Sequence, residues 1–177
     1  VVPVYLRPEH AWGLDLEELE GAVRPGAKIL YVTNPNNPTG TIITKAEFEK
    51  LMNAVPKNVI VVLDEAYFEY ADDKNYPDGI KYLSKYPNLI VLRTFSKVYG
   101  LAGIRAGYGV ADPEITAIME RIRPPFNINT LAQKGALAAL GDKAHMAATL
   151  KTNKEGRAYL YAELKKLGIK FVPTQAN

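Results

Sequence analysis

The chain has 177 residues, of which 47% are hydrophobic and 23% charged, with a formal net charge of +3 and no cysteine. That length suits one substantial core and little more, and the scattered Lys and Arg exclude a nucleic-acid stripe or a basic membrane anchor. The lack of cysteine excludes disulfides and thiolate metal sites, which makes the cytoplasm the default location. No apolar run has the length of a membrane span, so no membrane partner is expected.

Residues 1–6 (Val-Val-Pro-Val-Tyr-Leu) read as a short strand. Asp15 is a candidate N-cap for a helix over 16–23, with Glu18 completing a capping box, and Arg-Pro-Gly at 24–26 ends it. Residues 28–33 form a near-continuous apolar run of β-formers, the pattern of a strand covered on both faces. The stretch Asn-Pro-Asn-Asn-Pro-Thr-Gly at 34–40 is dense turn chemistry. Thr44 and Glu47 make a second capping box, and Phe48, Leu51, Met52 and Val55 recur at i, i+3, i+4, i+7, which predicts an amphipathic helix.

Residues 59–63 are another apolar strand, ending at Asp64-Glu65, and 78–86 read as helical. Residues 89–92 predict a third central strand, and 106–110 a further strand weakened by glycine. Asp112 followed by Pro113 opens a helix with Ile115, Ile118, Met119 and Ile122 on one face, which Arg-Pro-Pro at 123–125 terminates. An alanine-rich helix over 129–140 and a long helix from about 143 to 167 come next, the latter closed by Gly168. Residues 169–172 read as one more strand. Strands alternating with amphipathic helices predict an α/β fold with a mostly parallel sheet.

In such sheets ligands bind beyond the carboxyl ends of the strands. Three successive strand ends carry polar groups there: Asn34, Asn37 and Thr39; then Asp64 and Tyr67; then Thr94, Ser96 and Lys97. Each also has a plainer reading. The Asn-rich stretch makes a turn, Asp64 caps the helix or turn after its strand, Tyr70 is a core aromatic, and one lysine among many is solvated surface. Gly100, Gly103 and Gly107 do not form a dinucleotide-binding pattern. His10 and His145 lack partners at metal-ligand spacing, so no metal site is expected.

The ordered set Asn-Pro-Asn-Asn-Pro-Thr-Gly (34–40), Asp-Glu-Ala-Tyr (64–67), Ser-Lys (96–97) and Gly-Ile-Arg-Ala-Gly (103–107) resembles the pyridoxal-phosphate enzymes of the aspartate aminotransferase fold, fold type I. Within them, Arg-Thr-Phe-Ser-Lys (93–97), Pro-Pro-Phe-Asn-Ile-Asn-Thr-Leu-Ala-Gln (124–133) and the closing Phe-Val-Pro-Thr-Gln-Ala-Asn (171–177) are similar to the histidinol-phosphate aminotransferases. The resemblance implies that Lys97 is the covalent anchor of pyridoxal 5'-phosphate and the acid–base of the reaction. It implies that Asp64 partners the cofactor's ring nitrogen, and that Asn37 and Tyr67 donate to its ring oxygen. Ser96, Arg105 and Thr94 would hold the phosphate, and the Asn37–Pro38 bond would be cis. The catalytic set is then Lys97, Asp64 and Tyr67.

The activity implied is transfer of an amino group between histidinol phosphate and 2-oxoglutarate, a step of histidine biosynthesis, in a homodimer whose partners are these small molecules and glutamate. The alternatives are another aminotransferase acting on aromatic or other amino acids, a decarboxylase or lyase on the same lysine, or a cofactor-binding regulator without turnover. The family carries a phosphate-binding turn and a partner-reaching tyrosine ahead of these motifs, and a substrate-binding arginine after them. Their absence leads to the expectation of a chain truncated at both ends: 1–145 as a partial cofactor-binding large domain, and 146–177 as a linking helix and the start of a small α+β domain. Such a piece alone is expected to be poorly soluble and inactive. Asn127 and Asn129 are expected either to line the site or to face a partner subunit.

Overall fold

The computed structural model describes all of residues 1–177. Helix α1 (Leu16–Ala22) starts where the Asp15 carboxylate accepts the Glu18 N–H at 2.9 Å. The expected capping box is only half formed, because the Glu18 carboxylate pairs instead with Arg7 at 3.1 Å. Strand β1 (Ile29–Thr33) comes next, and helix α2 (Lys45–Ala54) carries the full Thr44–Glu47 capping box. Phe48, Leu51, Met52 and Val55 are all buried, as their spacing predicts. Strands β2 (Ile60–Asp64), β3 (Leu89–Thr94) and β4 (Gly107–Ala111) complete one sheet in the order β1-β2-β3-β4. The first three strands are parallel and β4 is antiparallel to β3.

Helix α3 (Pro113–Ile122) begins at the Asp112 cap, α4 (Thr130–Gly141) at the Asn129 cap, and α5 (Lys143–Lys166) runs to a left-handed Gly168. No helix is long and apolar enough to cross a membrane. The main core sits between α2 and the sheet face formed by Val32, Val61, Leu63, Leu89 and Val91. A second cluster, Phe95, Val98, Tyr99, Ala106 and Ala132, packs against Met146 and Leu150 of α5.

Four expectations are corrected. Residues 1–6 and 169–172 are not strands, because neither finds a ladder partner for its backbone groups. Residues 78–86 give only a 3-10 turn at Gly79–Tyr82, since side chains of neighbouring strands claim Asp78 and the Gly79 N–H. Within the sheet that these 177 residues form, β1 is an edge strand and the cover expected on both faces is incomplete, with Leu30 and Val32 buried and Ile29 and Tyr31 exposed. α3 forms as expected from its Asp112 cap and Pro113, and Ile118, Met119 and Ile122 of its apolar stripe are exposed.

Candidate active site

Parallel strands open all their carboxyl ends on one rim, and an antiparallel neighbour starts there. The registers Thr33↔Asp64, Asp64↔Leu92 and Thr94↔Gly107 therefore bring the segments after β1, β2 and β3 beside the segment before β4. A cleft of about 620 Å³ lies at this rim, and Asp64, Thr94, Ser96, Lys97 and Arg105 all line it. Asn37 and Tyr67 join through contacts: Asn37 Nδ2 donates to the Tyr67 hydroxyl at 3.1 Å, and the Lys97 ammonium lies 5.1 Å over the Tyr67 ring. The seven residues singled out in the sequence thus form one contiguous group.

Local geometry gives each a reason. The Thr94 hydroxyl accepts the Ser96 N–H at 3.0 Å, which turns the chain sharply out of β3 and presents Ser96 and Lys97. Lys97 is exposed at the cleft, a position from which an amine can act as a nucleophile. Arg105 adopts a left-handed φ of 58° and donates from Nη1 to the Ala102 carbonyl at 2.8 Å. A guanidinium has five donors, so the rest of its fork is available for an anion. The Asn37–Pro38 bond is cis, as the resemblance implies, and so is Asn34–Pro35.

Asp64 is half-buried and bonded on both oxygens. Oδ1 accepts the Ala66 N–H at 3.0 Å, and Oδ2 accepts the Tyr31 hydroxyl at 2.5 Å. Burial and that carboxylate push the Tyr31 phenol up to about 12, so it remains a donor throughout the neutral range. Tyr31 was hidden in an apolar strand, and the signal for it is the register, which sets it two residues from the Thr33↔Asp64 pair.

Asn34, expected at the rim, is turned inward and fully buried, where its Oδ1 accepts the Ile43 N–H at 2.9 Å and the Tyr76 hydroxyl donates to its carbonyl. Thr39 stays inside its own turn, accepting from Asn36 Nδ2 at 2.9 Å. Asn127 accepts from Arg123 Nη1 at 2.8 Å and Asn129 caps α4, with its Oδ1 accepting the Ala132 N–H at 2.8 Å.

Sequence reasoning also missed how the chain's last residues brace the Asn37 turn. The Gln175 N–H donates to the Gly40 carbonyl at 2.9 Å, and its Oε1 accepts the Ile42 N–H at 3.2 Å. α5 holds this tail through Asn153 Nδ2 to the Ala176 carbonyl (2.8 Å) and the Tyr161 hydroxyl, which accepts the Thr174 N–H (2.6 Å). Gly40 has φ +66°, and a Cβ there would lie 1.7 Å from Thr174 Oγ1. Gly40→Ala is therefore expected to destabilise the full-length protein by about 2–5 kcal/mol, from left-handed strain plus overpacking, read as a lower denaturant midpoint. Adding Thr174→Gly removes the clash and should return about half of that loss; no recovery would show that the two segments are not in contact.

An amine, a carboxylate, a guanidinium and hydroxyls at the carboxyl rim of an open α/β sheet are the equipment for covalent amine chemistry on an anionic ligand. The chain belongs to the class I and II aminotransferases, and the match to that family extends over residues 1–177. It is 49% identical over 164 residues to the histidinol-phosphate aminotransferase of Moorella thermoacetica, covering 92% of this chain and 42% of that protein. It is 46% identical over 170 residues to histidinol-phosphate aminotransferase 1 of Nitrosococcus oceani, covering 96% and 46%. The fold matches the Sinorhizobium meliloti histidinol-phosphate aminotransferase solved with pyridoxal-5'-phosphate, with a TM-score of 0.85 at 34% identity over 92% of this chain and 44% of that one. It also matches a Thermus thermophilus aspartate aminotransferase solved with maleate, with a TM-score of 0.85 at 25% identity over 99% and 47%. The chain spans less than half the length of these curated relatives.

Proposed function

We propose that this chain is the catalytic core of a pyridoxal-phosphate-dependent histidinol-phosphate aminotransferase, which exchanges an amino group between histidinol phosphate and 2-oxoglutarate. The observation that carries this reading is the gathering of Asp64, Thr94, Ser96, Lys97 and Arg105 in one cleft, with Tyr67 under the Lys97 ammonium and Asn37 bonded to Tyr67. The relatives' identities favour histidinol phosphate as the donor.

The donor set fits the cofactor. Lys97 supplies the amine for its aldehyde, Arg105 with Ser96 and Thr94 a cationic, hydroxyl-lined seat for its phosphate, and Asp64 a fixed anion for its ring nitrogen. Pyridoxal phosphate supplies an electron sink when bound. The chain's residues do the rest. Lys97 anchors the group and then moves a proton at its Nζ. Asp64 holds positive charge on the ring nitrogen, and Tyr67, oriented by Asn37, donates to the ring oxygen. The division into 1–145 and 146–177, cytoplasmic location and a homodimer belong to the same proposal.

The test uses the full-length protein. Borohydride reduction with the cofactor should fix a pyridoxyl label on Lys97, and label elsewhere or none ends the cofactor assignment. Glutamate formation from 2-oxoglutarate should be fastest with histidinol phosphate among that donor, phenylalanine and aspartate. Equal rates with phenylalanine or aspartate would overturn the substrate.

A further inference from the structure

Directly behind the cleft lies a buried ionic group that the proposed chemistry does not use. Glu65, the residue after Asp64, is 0% exposed. Its Oε1 accepts the Gly79 N–H at 2.8 Å, and its Oε2 accepts both Nε (3.0 Å) and Nη2 (2.8 Å) of Arg93, the residue before Thr94. Arg93 Nη2 also donates to Asp78 at 2.7 Å, and its guanidinium stacks 3.5 Å from the centre of the Phe68 ring. Asp78 in turn pairs with the exposed Lys81 at 3.4 Å. Burial pushes the Glu65 carboxyl up to about 7 against the pull of Arg93, while Glu65 and Asp78 outweigh burial and raise Arg93. Tyr76, Glu69 and Tyr99 are the other titratable groups facing this cluster, and all three are raised, chiefly by burial.

Taking two charges out of water costs several kcal/mol per ion, and an apolar pair of the same volume is often no less stable. Stability alone therefore does not account for the arrangement; its placement does. Successive side chains on a strand leave on opposite faces, so the Glu65 and Arg93 side chains pair on one face while Asp64 and Thr94 face the cleft, whose edge Arg93 also borders. Both strands end at this point, β2 at Asp64 and β3 at Thr94, and the backbone bonds of Glu65 N–H to the Leu92 carbonyl (2.9 Å) and Phe95 N–H to the Ala106 carbonyl (3.1 Å) are the last to tie them to their neighbours before the turns that carry Tyr67 and Lys97. Phe68 lies in the turn that begins at Tyr67, so its stacking on Arg93 ties that third site residue to the same anchor.

We propose that Glu65, Arg93 and Asp78 form a clasp that positions Asp64, Thr94 and Tyr67, making Glu65 and Arg93 positioning residues of the site. This rests on the reading that those three hold the cofactor. In the full-length protein loaded with pyridoxal phosphate, Glu65→Leu combined with Arg93→Met removes both buried charges and leaves Asp78 with Lys81. The double variant should still fold cooperatively, with a lower melting temperature that reflects the orphaned Gly79 N–H. Its kcat should nevertheless fall by on the order of tenfold to a hundredfold with KM little changed, as expected when reacting groups are displaced by less than an ångström or so. The pH midpoint of the bound cofactor's visible absorbance, measured well below the melting temperature, should also move by about half a unit or more, because the charges around it have shifted. A purely structural role would move the melting temperature and not that midpoint.

If the double variant does not fold, the isosteric Glu65→Gln decides alone, and the same displacement of kcat and midpoint is expected of it. A folded variant with the parent's kcat and midpoint overturns the clasp. A parent that takes up no cofactor removes the reading beneath it and the clasp together, so the two failures are told apart by the parent's own spectrum.

Discussion

Lys97→Ala in the full-length protein is expected to lose turnover by at least about 10⁴-fold while the protein still folds, since in the proposed function the amine is both covalent anchor and proton carrier. The expectation of an intact fold comes from its setting. Lys97 is exposed in a bend after β3, its neighbours Val98 and Tyr99 make the packing contacts, and its ammonium touches only the open side of the Tyr67 ring. Removing such a group changes stability by about 0.5 kcal/mol or less. Lys97→Arg is the sharper variant: it keeps the charge over Tyr67, but a guanidinium stays protonated and cannot serve as the nucleophile. Borohydride should fix no label in either variant, and phosphate binding through Arg105 should leave some non-covalent cofactor uptake, measured by equilibrium dialysis. Turnover within tenfold of the parent in Lys97→Arg would show that another group carries the chemistry.

The sequence made the site more legible than the fold around it, for a physical reason. Asp64, Thr94 and Ser96 stand at the ends of apolar runs, β-runs of that kind declare themselves, and the local turn bonds of Asp64 and Thr94 explain these residues one at a time but not their meeting at one rim. α2 was equally legible, because its cap and its stripe agree and both are satisfied in the structure. The features that escaped depend on distant partners. Nothing local at Tyr31 indicates that its hydroxyl meets Asp64, and nothing at Gln175 indicates that it closes on residues 40–42. Residues 78–86 have helical composition, but Glu65 and Arg93, 14 and 15 residues from their partners in this stretch, hold its start in another shape. Local propensity loses there to tertiary bonds.

Asp64→Asn should separate charge from shape at the other end of the site. Asparagine keeps one acceptor for the Ala66 N–H, now 3.0 Å from Oδ1, and its amide can meet the Tyr31 hydroxyl, which turns to accept. The turn after β2 and the cofactor's covalent anchor at Lys97 should both survive. The fixed negative charge that the proposed function assigns to the cofactor's ring nitrogen is lost. A preorganised charge in a partly water-excluded site is worth about 10²–10³-fold in rate when removed, so turnover should fall by that factor with borohydride labelling of Lys97 unchanged. Tyr31→Phe is the matched control. It deletes one hydrogen bond to Asp64 and leaves the carboxylate charged, so its effect on turnover should stay below about tenfold, in line with a single neutral donor. If Asp64→Asn were as active as Tyr31→Phe, the carboxylate would be a cap for the 65–67 turn and the ring nitrogen would need another partner. A large loss in Asp64→Asn with a small one in Tyr31→Phe ties the rate to the charge itself.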